Sequence, residues 1–81
     1  MKKARYSANE EIIRTILRAR RVTLGYRQQD LARKLHAQQS FVSKYESGER
    51  LLTFVETIRI CQVLDLDPCI VLKQYLDRHE T

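Results

Sequence analysis

Apolar side chains recur along this chain at spacings of three and four, the signature of helices with one buried face. Ile12, Ile13, Ile16, Leu17 and Leu24 make the first such series, with Arg14, Arg18 and Arg20 falling mostly elsewhere. Ser7 and Glu10 have the spacing of a capping box ahead of it, with Asn9 as an alternative cap. Glu10 and Glu11 suit the positive end of the helix dipole, and Gly25 supplies a stop. The pattern then shortens. Leu31, Ala32 and Leu35 mark QQDLARKL (28–35), a helix of about two turns that needs packing to be stable. After a break at His36-Ala37, QSFVSKYE (39–46) is again two turns long, with Val42 and Tyr45 on one side and Ser47-Gly48 at its end. Thr53 and Glu56 repeat the capping-box spacing before a fourth apolar helix reaching Leu64, and Asp65 tolerates a left-handed terminating conformation. On its helical wheel Phe54, Thr57, Ile58, Ile60, Cys61 and Leu64 face the core, while Val55 and Val63 fall opposite. Asp67-Pro68 joins an N-cap to a proline at the first helical position. The last helix runs to about Arg78 with Val71, Leu72, Tyr75 and Leu76 along one stripe. The expectation is all-α: five helices and no strands, in one domain over 7–81 preceded by a flexible basic arm, MKKARY (1–6).

Composition narrows what such a bundle does. Eighty-one residues suffice for one core and not two. With 43% hydrophobic and 31% charged residues the chain folds instead of remaining a disordered tail. The formal net charge is +5, unevenly placed: residues 1–50 carry 12 basic and 5 acidic side chains, residues 51–81 carry 3 and 5. A basic first part seeks polyanions, and the slightly acidic remainder has another task. No apolar run approaches the roughly 20 residues that span a bilayer. No apolar segment follows the basic start, so a secretory signal is not expected and a cytoplasmic protein is. Cys61 and Cys69 sit among apolar neighbours and read as reduced core thiols. His36 and His79 lack companions at ligand spacing, so no metal is expected. No phosphate loop, nucleophile elbow or HExxH segment appears, so neither a cofactor nor an enzyme is expected.

Two adjacent two-turn helices joined by a tight break are the layout of a helix-turn-helix. Leu17, Arg21, Gly25, Gln28, Leu31, Ala32, Ser40, Val42, Ser43, Glu46-Ser47-Gly48, Leu64 and Asp67-Pro68 follow one another in a telling order. On these residues the chain resembles the Cro/repressor (Xre-type) helix-turn-helix family over about residues 12–70. The resemblance implies a compact five-helix bundle of the phage-repressor type, with the second and third helices as the helix-turn-helix. Three positions depart from the family pattern. Arg27 stands where Ser or Thr caps the second helix, His36 replaces the turn glycine, and Gln38 replaces a hydroxyl cap on the third.

The resemblance further implies that double-stranded DNA is the partner. Gln28 then contacts phosphate and braces the recognition helix, while Gln39, Ser40, Ser43 and Lys44 face the major groove. Periodicity agrees independently, because Val42 and Tyr45 turn inward and leave 39, 40, 43 and 44 outside. Gln39 can read adenine bidentately, and Lys44 can donate to guanine. The competing reading is an ordinary solvated face. Phe41 either packs between helices or meets a thymine methyl, and packing is favoured. Arg27 and Arg50 flank the unit as phosphate contacts, whereas Arg18, Arg20, Arg33 and Lys34 read as surface charge. Lys2, Lys3 and Arg5 are equally an arm that reaches DNA or a solubilising tail. Arg21 and Glu46 look functional by type, but the resemblance makes them a partly buried structural ion pair.

A lone two-turn recognition helix reads few bases, so a homodimer on a roughly palindromic operator is expected, its helices about 34 Å apart. Val63, Ile70, Val71 and Tyr75, on the fourth and fifth helices, are the candidate dimer contacts. The function expected is a sequence-specific transcriptional regulator acting as a repressor. The alternative is a protein-interaction module, such as the antitoxin of a toxin pair, with a toxin or other regulator as partner. A membrane-surface role is disfavoured, because the cations are spread over several helices.

Overall fold

The computed structural model describes residues 8–78 as five helices: α1 (Ala8–Thr23), α2 (Gln28–Leu35), α3 (Gln39–Ser47), α4 (Phe54–Val63) and α5 (Pro68–Arg78). The expected arm at 1–6, the Ser7 cap and His79 lie outside the described residues.

One device makes all four connections. Each of α1 to α4 is followed by a residue at positive φ: Gly25 (79°), His36 (58°), Gly48 (89°) and Asp65 (53°). In each turn that residue and the next donate back to carbonyls of the last helical turn. Tyr26 N–H reaches Arg21 O at 3.1 Å, Ala37 reaches Ala32 at 2.9 Å, Glu49 reaches Lys44 at 2.9 Å and Leu66 reaches Cys61 at 2.8 Å. These crossed bonds satisfy carbonyls that the helix leaves open and turn the chain sharply. Tyr26, Ala37 and Leu66 then pack against the core, which anchors three of the four turns.

Two starts follow their sequence signals. Thr53 Oγ1 accepts from Glu56 N–H at 3.0 Å, and the Glu56 carboxylate accepts from Thr53 N–H at 2.9 Å. Asp67 Oδ1 accepts from Cys69 N–H at 2.9 Å. Gln38 offers α3 no side-chain cap. Arg27 has no oxygen to offer α2, but Asp30 accepts from the Arg27 N–H at 2.8 Å and supplies the other half of a capping box.

Leu17, Leu31, Val42, Tyr45, Ile60, Cys61 and Leu64 are all but inaccessible, so α1 to α4 meet in one core and α5 closes it with Val71. Each such aliphatic stabilises the fold by roughly 1.5–3 kcal/mol. Two arginines tie helix ends together across the bundle. Arg20 donates to the Leu64 and Asp65 carbonyls at 3.0 and 2.9 Å, and Arg59 donates to the Leu35 carbonyl at 3.2 Å. Cations at helix C-termini suit the dipole, so these side chains are more than surface charge.

The structure departs from the helical wheels at one end of the molecule. Phe54 does not face the core; it is 79% exposed. It is the first residue of α4, one turn ahead of the positions that pack, and there the helices part around a cavity of about 330 Å³. Leu72 and Leu76 are likewise exposed instead of completing the buried stripe of α5. Val63 is half-buried and packs on the core, so it does not lie on an outer face. Val71, one of the expected dimer contacts, is buried against the core and lines this cavity, as does Tyr75. Cys69, at the start of α5, is exposed, so only Cys61 is a core thiol.

Candidate nucleic-acid interface

One polar chain of side chains links α1, α2 and α3 beside their shared apolar core. Its root is the Arg21–Glu46 pair between α1 and α3. Arg21 Nε donates to Glu46 Oε2 at 2.7 Å, and Nη2 donates to Oε1 at 3.0 Å. Arg21 Nη1 also donates to the Tyr26 carbonyl at 2.7 Å, which fastens the first turn to the same group. Both side chains are nearly buried, at 10% and 4% exposure, and the two-pronged geometry is the kind that repays desolvation.

The chain continues outward. Gln28 Nε2, at the start of α2, donates to Glu46 Oε1 at 3.0 Å. Gln39 Nε2, at the start of α3, donates to Gln28 Oε1 at 2.8 Å. Because Glu46 only accepts, it fixes which end of the Gln28 amide points inward, and Gln28 in turn fixes Gln39. Gln39 is exposed, and it retains its own oxygen and one N–H. An acceptor and a donor side by side on a planar amide match the adenine edge in the major groove. Burial at one end of the chain thus orients an exposed amide at the other.

Ser40 and Lys44 are exposed on the same side of α3, and Ser43 is half-buried there. Lys44 makes no ion pair among the described residues. Phe41 lies half-buried, its ring 5.6 Å from that of Tyr45, so it packs between helices. Burial pushes the Tyr45 hydroxyl well above the ordinary phenol range, so it stays neutral.

The two flanking cations are already engaged. Arg27 pairs with Asp30 at 3.2 Å, and this bond holds the Asp30 carboxyl below its ordinary range. Arg50 grips Glu56 through two bonds, at 2.8 and 2.9 Å, and stacks over the Phe41 ring at 4.8 Å. That grip, with the Thr53 N–H, brings Glu56 down to about 2. Both guanidinium groups remain exposed, so a phosphate can reach them, in competition with a carboxylate.

Some of this pattern lies beyond sequence reading. Arg27 and Asp30 are three apart, a spacing at which neighbouring side chains meet, though the sequence reading did not pair them. Arg50 and Glu56 are six apart across a loop, and nothing in their spacing marks them as partners. The Gln28–Glu46 bond joins residues 18 apart.

A five-helix bundle whose second and third helices form a compact pair, with a polar row exposed on α3, defines a helix-turn-helix DNA-binding domain. A family described as a helix-turn-helix domain, of the Xre/Cro-like kind, matches residues 13–70, most of the chain, and the chain belongs to that family. No curated protein and no solved structure matches it. Among the described residues no helix is long and apolar enough to cross a membrane, and no cluster of side chains is suited to a metal ion.

Proposed function

We propose that this protein is a cytoplasmic, sequence-specific transcriptional regulator, a repressor, that binds a roughly palindromic operator as a homodimer with α3 in the major groove. The observation that carries the reading is the bonded chain Arg21–Glu46–Gln28–Gln39, which orients an exposed amide at the N-terminus of α3. A merely solvated face has no need of a buried anchor for one of its glutamines. Gln39 reads adenine, Lys44 donates to guanine, and Ser40 and Ser43 contact base edges or sugar-phosphate. Gln28, Arg27 and Arg50 take phosphates.

Duplex binding at two salt concentrations tests this. Affinity should fall steeply with salt, with a slope near 0.9 per phosphate contact, and preference for a selected sequence should vanish in Gln39→Ala/Lys44→Ala. A folded protein that binds no duplex would refute it. The exposed apolar side chains around Phe54 favour one second reading, in which a protein partner such as a toxin is the principal ligand and DNA binding is secondary. That reading predicts a tight protein complex and little sequence preference.

A further inference from the structure

We propose that two copies of this chain pair by exchanging Phe54, the ring of each seating in the apolar cavity of the other. This rests on the homodimer reading above and centres the contact on the cleft between α1, α4 and α5, which Val71 and Tyr75 line and Val63 and Ile70 do not. Three observations carry it.

The first is the hole. The cavity of about 330 Å³ is walled by Ile13, Ile58, Val71 and Leu72, with Tyr45 of α3 also lining it. An apolar cavity of roughly 150 Å³ already admits a benzene ring. The second is the knob. Phe54 stands on the rim of this cavity and is 79% exposed, far more than an aromatic side chain of a small bundle gains by being. A knob beside its own hole is self-complementary about a two-fold axis passing between them, so one rotation fills both cavities at once. Leu51 on the rim and Leu72 and Leu76 along α5 extend the same face. With Phe54 they form an exposed apolar face, the kind of surface that marks an interaction site.

The third observation is charge. The rim carries both signs, Glu10 with Arg14 and Arg50, so the face does not repel its own copy. Ile70 and Val55 are also exposed aliphatics, but neither lines the cavity. Tyr45 and Arg50 bound the seat, so the partner's ring would rest beside the recognition helix and beside one of its flanking cations.

The test is sedimentation equilibrium on the full chain across a concentration series, with circular dichroism to confirm that each variant is folded. Phe54→Asp removes an exposed side chain, so the monomer should fold normally while dimerisation weakens by at least about 30-fold. Val55→Asp and Ile70→Asp should each change it by less than about 3-fold. On DNA, Phe54→Asp should keep wild-type affinity for a single half-site and lose the gain from two. A wild-type chain that dimerises equally well as Phe54→Asp overturns the inference and leaves the homodimer reading standing. Loss of the dimer in Ile70→Asp alone has the same meaning. A wild-type chain monomeric at every concentration and on the operator overturns both.

Discussion

Glu46 joins three elements, α1, α2 and α3, through one carboxylate. It accepts from Arg21 twice and from Gln28 once, with only 4% of its side chain exposed. Glu46→Ala leaves the Arg21 guanidinium buried without its counter-charge. It should destabilise the fold by about 3–5 kcal/mol, read as a lower urea midpoint at unchanged slope. A second residue-scale consequence concerns acid. Glu56 titrates at about 2 in the fold against an ordinary 4.5, because Arg50 and the Thr53 N–H favour its charged form. A depressed carboxyl contributes stability that is fully present above 4.5 and disappears as pH falls toward about 2. Asp30 is lowered in the same direction by Arg27. Melting temperature followed from pH 5 to pH 2 should therefore fall, and Glu56→Gln should flatten part of that fall. The Arg21–Glu46 pair was legible only through the family pattern, since residues 25 apart carry no local sign of contact. The engagement of Arg50 by Glu56 was not legible at all. The sequence showed Glu56 as a capping residue, which it is, and one carboxylate serves both tasks.

At the scale of elements, the helices are short and their ends do much of the specifying. His36 and Asp65 occupy left-handed positions that glycine takes at Gly25 and Gly48. Such a conformation strains a residue with a Cβ by about 1–2 kcal/mol. His36→Gly should accordingly raise stability by roughly 0.5–1 kcal/mol once the greater freedom of unfolded glycine is deducted. Gly25→Ala should lower it by about 1 kcal/mol, from backbone strain alone, because a Cβ there meets nothing within 4 Å. Gly48→Ala should lower it by a similar amount, since a Cβ there comes within 3.0 Å only of the end of the flexible Arg14 side chain, which can shift at small cost. Thermal melts of the three variants check these changes. Helix limits were readable because caps and stops are local: Thr53 with Glu56, Asp67 with Pro68, and the four left-handed residues each act within a few positions. Burial on α4 and α5 was less readable. Periodicity says which residues share a face, and it cannot say where neighbouring helices part, so Phe54 and Leu72 share a face with core residues while standing outside the core.

For the whole molecule, the uneven charge of the sequence resolves into three uses. Arg21, Arg20 and Arg59 hold helices together; Arg27 and Arg50 are restrained beside carboxylates; Lys44 stands exposed without an ion pair among the described residues. Net charge therefore overstates the cations available to DNA. The salt dependence of binding should be shallower than a count of 15 Lys and Arg side chains would give. The central claim is that α3 reads sequence through an amide anchored on Glu46. Selection of bound duplexes from a random pool by wild-type protein and by Gln39→Ala tests it most directly. The account predicts a two-fold symmetric consensus for the wild type, and in the variant the loss of preference at one adenine position per half-site with the other positions kept. An identical consensus from both proteins, or none from the folded wild type, would contradict it.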